Sequence, residues 1–172
     1  GVFAQTTLDD FEIGVTDWNQ TGGWPAFAHN NTDGANSTTG SMTVTDAGYS
    51  ANGEKVYTAI IPATAFYKVT FYYKNGQVDQ PLENLGIFAS TGAVQGSVAL
   101  GSVQTTVWTA VETSLFKAMA GADLTVALSA NSGAGARACA LDEIVLVEDM
   151  TPFGYVTPLD GYYVADTTTI TV

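Results

Sequence analysis

Positive charge is scarce in this chain: 5 Lys and Arg stand against 17 Asp and Glu, for a formal net charge of −12. So few scattered cations cannot neutralise a run of phosphates, which nearly rules out nucleic acid as a partner. Binding to anionic membranes fails for the same reason. Cysteine is almost missing. The single Cys139 excludes an internal disulfide and any thiolate zinc cluster, and its setting in Ala-Arg-Ala-Cys-Ala-Leu reads as a small buried thiol. The single His29 cannot build a zinc site and reads as a loop residue. No run of about 20 apolar residues is present, so no membrane insertion is expected. Charged residues of both signs make up 13% of the chain, about half the usual share. Polarity comes instead from Thr, Ser, Asn, Gln and 18 Gly. Aromatics at 11% exclude disorder, and 172 residues suit one domain with a real core.

Helical periodicity is also missing, and alternation takes its place. Tyr67-Lys68-Val69-Thr70-Phe71-Tyr72-Tyr73-Lys74 is the strongest strand, rich in β-branched and aromatic residues. Further strands are read at Thr6–Glu12, Ser41–Thr45, Val56–Ile61, Leu85–Ser90, Ser97–Val103, Trp108–Phe116, Leu124–Ser129 and Ala140–Val147. Clusters of Gly, Asn, Asp and Ser separate them. Only Leu115–Gly121 reads as a helical turn, and Asp17–Gly40 reads as a long loop. The pattern predicts an all-β fold, an antiparallel β-sandwich of the jelly-roll kind. Residues 1–6 form an N-terminal extension, 7–149 the sandwich, and 150–172 a tail, linker or additional edge strand. The opening Gly-Val-Phe-Ala-Gln hints at the scar of a cleaved export signal, and with few Lys and much Thr and Asn it suits a secreted or cell-surface protein.

Enzyme templates find no match. There is no Gly-rich phosphate loop, no Gly-x-Ser-x-Gly elbow and no His pair. A carboxylate pair of the glycosidase kind stays open among so many acids, but those acids sit mainly in turns and at strand ends. No catalytic residue is assigned, and an enzyme is not expected.

Leu8-Asp9-Asp10-Phe11-Glu12 near one end and Ala140-Leu141-Asp142-Glu143-Ile144 near the other place carboxylates on both terminal strands. If those strands pair, the acids repel unless a cation lies between them, and hard oxygen donors favour Ca²⁺. A Leu-x-Asp-Phe-Glu start, a Trp a few residues later and a closing Leu-Asp-Glu-Ile-x-Leu resemble the galactose-binding-like jelly rolls, a superfamily with many carbohydrate-binding modules. Trp108-Thr109-Ala110-Val111-Glu112 resembles their W-x-x-V-E strand. The resemblance spans about residues 7–148. It implies a structural Ca²⁺ that clips the first strand to the last, with side-chain oxygens from Glu12 and Asp142. Asp10 and a carbonyl from the Gly40-Ser41 region would complete the shell.

Strand faces give the candidate sugar site. Tyr67, Val69, Phe71 and Tyr73 are expected in the core, which turns Tyr72 outward on a polar face. Leu85, Ile87 and Ala89 point inward, which turns Asn84, Gly86 and Phe88 outward, with Thr125, Ala127 and Ser129 as a third outer row. Tyr72 and Phe88 then form one platform for stacking on pyranose rings, with hydrogen bonds from Gln77, Asn75 and Asn84. Trp24 and Tyr49 wall it from loops, whereas Trp18 and Trp108 are placed in the core. The sequence thus reads as non-catalytic binding of a polysaccharide or oligosaccharide, within a larger multi-domain protein. The competing reading is a structural or adhesive domain of a secreted or surface assembly.

Overall fold

The computed structural model describes residues 4–76, 80–131 and 135–149. The expected tail over 150–172 and the candidate ligand Gln77 lie outside them, and Tyr49 is described by its backbone alone. The strands are β1 (Gln5–Asp9), β2 (Asn19–Asn30), β3 (Ser41–Tyr57), β4 (Ala65–Asn75), β5 (Leu85–Thr91), β6 (Val94–Gly101), β7 (Thr105–Glu112), β8 (Phe116–Ala118), β9 (Leu124–Ala130) and β10 (Arg137–Asp149). No helix occurs among the described residues. The segment expected as a helical turn is instead β8, with Phe116 and Ala118 buried and Lys117 exposed.

Antiparallel pairing runs in the order β6-β5-β9-β3-β10-β4-β7, with β1 on β10, β2 on β3 and β8 on β4. The ladder closes into a sandwich because β3 serves both layers. Its first part pairs with β10 (Met42 opposite Leu141), and its second with β9 (Lys55 opposite Val126). β2 follows the same bend, with irregularities after Gln20 and Gly23. The near layer is therefore β6-β5-β9 plus the second part of β3. The far layer is β7-β4-β10 plus the first part of β3.

β2 replaces much of the loop expected over 17–40. Its Gly, Pro and Asn are turn-formers by composition, but an edge strand paired on one side tolerates them. Close approach decides at Gly53, where a Cβ would sit 2.2 Å from the Phe27 ring. The two short strands read at 41–45 and 56–61 are likewise joined in one 17-residue β3.

The alternation on β4, β5 and β9 is as the sequence implies. Tyr67, Val69, Phe71 and Tyr73 meet Leu85, Ile87, Ala89, Leu124, Val126 and Leu128 in one core. Trp18 joins them, its ring 5.9 Å from that of Phe27. Cys139 is buried there too, and burial pushes its thiol up to about 12.

Candidate functional site

Alternation tells which side chains leave the core, and the layer then decides where they go. Phe88 leaves through the near layer and Tyr72 through the far layer, so they lie on opposite outer faces of the sandwich. The expected single platform carrying both rings is not formed.

On the near face, Phe88 sits between Ser97 of β6 and Ala127 of β9, and Ala127 in turn faces Glu54 of β3. The row on one side is Ala99, Gly86, Ser129 and Asn52, and the row on the other holds Ser90, Thr125 and Val56. Glu54 is the one charged residue in these three rows. Apart from Gly86, none of these residues is buried. Ser129 Oγ donates to Asn52 Oδ1 at 2.6 Å, which fixes the amide and aims its NH₂ elsewhere. A groove of about 240 Å³ runs beside Phe88, lined by Asn84, Gly86, Ser97, Ala99 and Gly101. Asn84 is exposed with φ 52°, and its N–H donates to Ser102 Oγ at 3.3 Å.

The far face is different. The 31–40 segment lies over part of it, and its Asp33 takes one of the face's charges. Lys74, only 6% exposed, donates to Asp33 Oδ1 and Oδ2 at 2.8 and 2.9 Å. The Trp108 indole N–H donates to Asp33 Oδ1 at 3.1 Å, and the Lys74 ammonium lies 4.7 Å from the Trp108 ring centre. Trp108 is therefore a half-buried outer residue and not the core residue expected from sequence. The bulge between Tyr73 and Asn75 sets its position opposite β4. Tyr72, half-buried, is flanked by Ala110 of β7 and Asp142 of β10. Asn75 is fully buried and exchanges two hydrogen bonds with the backbone of Leu82, so it is no surface donor. Trp24 stands 77% exposed on β2, against Gly48 of β3, where a Cβ would come within 2.8 Å of its ring.

The acids of the terminal strands meet the same 31–40 segment. β1 does pair with β10, Gln5 opposite Val147. Beyond β1, Glu12 Oε1 accepts from Gly40 N at 2.8 Å and Thr39 N at 3.1 Å, while Oε2 accepts from Thr39 Oγ1. These bonds, the Gly40 N–H foremost, hold the exposed Glu12 carboxyl below its ordinary range. Asp142, fully buried, accepts from Ala35 N and Glu143 N, each at 2.7 Å, and from Thr38 Oγ1 at 3.0 Å. Burial pushes its carboxyl up and the hydrogen bonds oppose that. Asp10 is exposed and accepts from Glu12 N at 3.2 Å. Among the described residues, no three carboxylate, imidazole or thiolate side chains gather as a metal-binding group. Two of the three acids thus grip one loop, and backbone N–H groups face Glu12 where carbonyls were expected.

A polar cluster that the sequence did not announce lies by β1. Asp9 takes the Lys55 ammonium at 3.0 Å, the Tyr57 hydroxyl and the Trp18 indole N–H. Burial, then the bond to Asp9, pushes the Tyr57 phenol up.

No protein-family model and no curated protein matches this sequence. Solved structures do. A family-61 carbohydrate-binding module in complex with β-1,4-galactotriose is similar with a TM-score of 0.62 at 17% identity, over 81% of this chain and 94% of that one. The family-22 xylan-binding domain of Paenibacillus barcinonensis Xyn10C gives 0.55 at 16%, over 86% and 95%. A structure of promiscuous carbohydrate-binding modules of the β-sandwich superfamily gives 0.63 at 15% identity. It is matched over 83% of this chain, which spans 62% of its length. The chain shares the β-sandwich fold of these carbohydrate-binding modules.

Proposed function

We propose that this domain binds an uncharged carbohydrate chain, without catalysis, on the outer face of the β6-β5-β9-β3 layer. The observation that carries the reading is the composition of that open face around Phe88. A half-buried ring among Ala, Gly and Ser leaves room for a pyranose to lie on it. Asn52, Ser129 and Glu54 stand within the same rows, and Asn84 lines the groove, to take hydroxyls. A neutral ligand suits a face with one charge on a chain of −12. The fold of the similar modules supports the same reading, as does the absence of any recognised catalytic motif in the sequence. The setting that goes with it is a secreted or cell-surface protein of several domains.

Affinity electrophoresis through gels containing soluble xylan, galactan, β-glucan or mannan tests this. Retardation by at least one glycan, reduced at least tenfold in affinity by Phe88→Ala with the melting temperature kept, is the expected result. No retardation by any of them overturns the reading.

Calcium belongs to the proposal as a stabiliser of the 31–40 segment. Glu12 and Asp142 would hold it, each exchanging hydrogen bonds from the 31–40 segment for the ion. Lys55, Lys68, Lys74 and Arg137 pair with other acids, so a buried Asp142 gains from a nearby cation. Asp10 is the weakest member, being turned to its own neighbour. A bound ion stabilises by mass action. EDTA is therefore expected to lower the melting temperature and Ca²⁺ to restore it; an equal melting temperature in both removes the ion from the reading.

A further inference from the structure

Trp108 and Tyr72 are left over from the near-face site, and their surroundings are unusual for surface aromatics. The Trp108 ring is fixed at its polar edge by Asp33, and the Lys74 ammonium lies over one of its faces. Its one hydrogen-bond donor is therefore spent inside the protein, and what remains for stacking is the hydrocarbon ring face turned away from Lys74. Tyr72 lies across from Ala110, two residues along β7 from Trp108, so a small exposed residue separates the two aromatic positions. The charges on these strands are paired: Lys74 with Asp33, and Lys68 with Glu112 at 2.8 Å. What this strip of β4 and β7 carries is two half-buried aromatic rings, oriented by the fold, whose neighbouring charges are paired.

We infer that Trp108 and Tyr72 form a second carbohydrate-stacking platform, on the face opposite Phe88, which makes the domain bivalent. The inference rests on the carbohydrate reading above and adds a separate surface to it. An uncharged pyranose fits because stacking needs only the ring face, whose orientation is already settled before binding. A charged ligand would find no unpaired partner among Lys68, Lys74, Asp33 and Glu112. Two platforms on opposite faces cannot grip one short oligosaccharide, so each acts alone on short ligands. On a polymer they join separate chains.

The test is an NMR titration of the intact chain with xylohexaose and with β-1,4-galactotriose. Three indole N–H signals are expected from three Trp, and Trp108→Phe identifies one by its loss. Binding at both faces shifts the Trp108 indole signal and the Gly86 amide with separate midpoints. Phe88→Ala abolishes the second shift and leaves the first, and calorimetry on the wild type gives two sites per chain. Tyr72→Ala should weaken the Trp108 site about tenfold and spare Gly86. A Gly86 shift with a still Trp108 signal overturns the second platform and leaves the near-face reading intact. Neither signal moving overturns both. Concentration-dependent self-association that Trp108→Phe abolishes, without any sugar-induced shift, overturns the inference in favour of a protein contact.

Discussion

Replacing Asp33 by Ala should destabilise the domain more than any surface substitution, and for a reason that can be dissected. Lys74 has its side chain 7% exposed and that of Asp33 29% exposed, at 2.8 Å. Removing one partner of a buried ion pair costs about 3–5 kcal/mol, because the remaining charge stays in low dielectric. Asp33 is partly wet, which discounts the loss to about 2–3 kcal/mol. Trp108 also loses its acceptor, and the 31–40 segment one of its anchors. A loss of that size lowers the melting temperature of a domain this large by about 5–10 °C. Lys74→Met should cost less, since the surviving Asp33 can rehydrate. The double variant Asp33→Ala/Lys74→Met should then be more stable than Asp33→Ala alone, because no ammonium is left stranded. Urea unfolding of the four proteins closes the cycle. Additivity within about 0.5 kcal/mol would refute the argument that Lys74 depends on Asp33.

Gly40→Ala should fail to fold or lose more than about 2 kcal/mol in urea unfolding, since its Cβ would meet the Phe11 carbonyl oxygen at 2.1 Å. Leu128→Ala, in the centre of the core, should cost about 2–5 kcal/mol by the same assay. Cys139 should resist a disulfide reagent at pH 8 and react fully in denaturant, because its thiol is buried and pushed up to about 12. The pH dependence of the melting temperature should separate two acids. Glu12 has a lowered pKa in the fold, so its contribution is present above the ordinary carboxylate range and fades as pH falls through the lowered value. Asp142 is raised, so the fold takes up its proton more readily and stability falls as pH climbs through that raised value. Glu12→Gln should flatten the acid limb and Asp142→Asn the opposing slope; unchanged curves in both would refute the assignment.

The inward residues of β4, β5 and β9 were readable because a period of two survives even where neighbours are unknown. Tyr67 to Tyr73 and Leu85 to Ala89 needed nothing more. The layer to which each strand belongs was not readable, because alternation carries no information about which face of which sheet is outward. That is why Tyr72 and Phe88 seemed to share a platform. β2 was hidden by its own composition: Gly22, Gly23 and Pro25 spell a turn, and pairing with β3 overrides them. Trp108 reads as a core residue packed under a loop; a loop residue does hold it, but that residue, Asp33, comes from 75 residues away and holds it on the outer face. The grip of Glu12 and Asp142 on one loop was foreshadowed by the terminal acidic motifs, but the N–H groups that meet Glu12 follow from the course of the backbone at Thr39 and Gly40, after the turn at Asn36 and Ser37, which no spacing announces.

The pairing of β1 with β10 also has a mechanical meaning. Ala4 accepts from Glu148 N at 3.0 Å, so the incoming and outgoing strands sit side by side at one pole. Tension applied between residues 4 and 148 loads the ladder bonds one at a time from that pole, as a zipper opens, and never in parallel shear. A domain tethered through both strands therefore begins to yield at Gln5 and Val147 under modest force. The β6-β5-β9 face carrying Phe88 lies in the other layer, away from the first bonds to part.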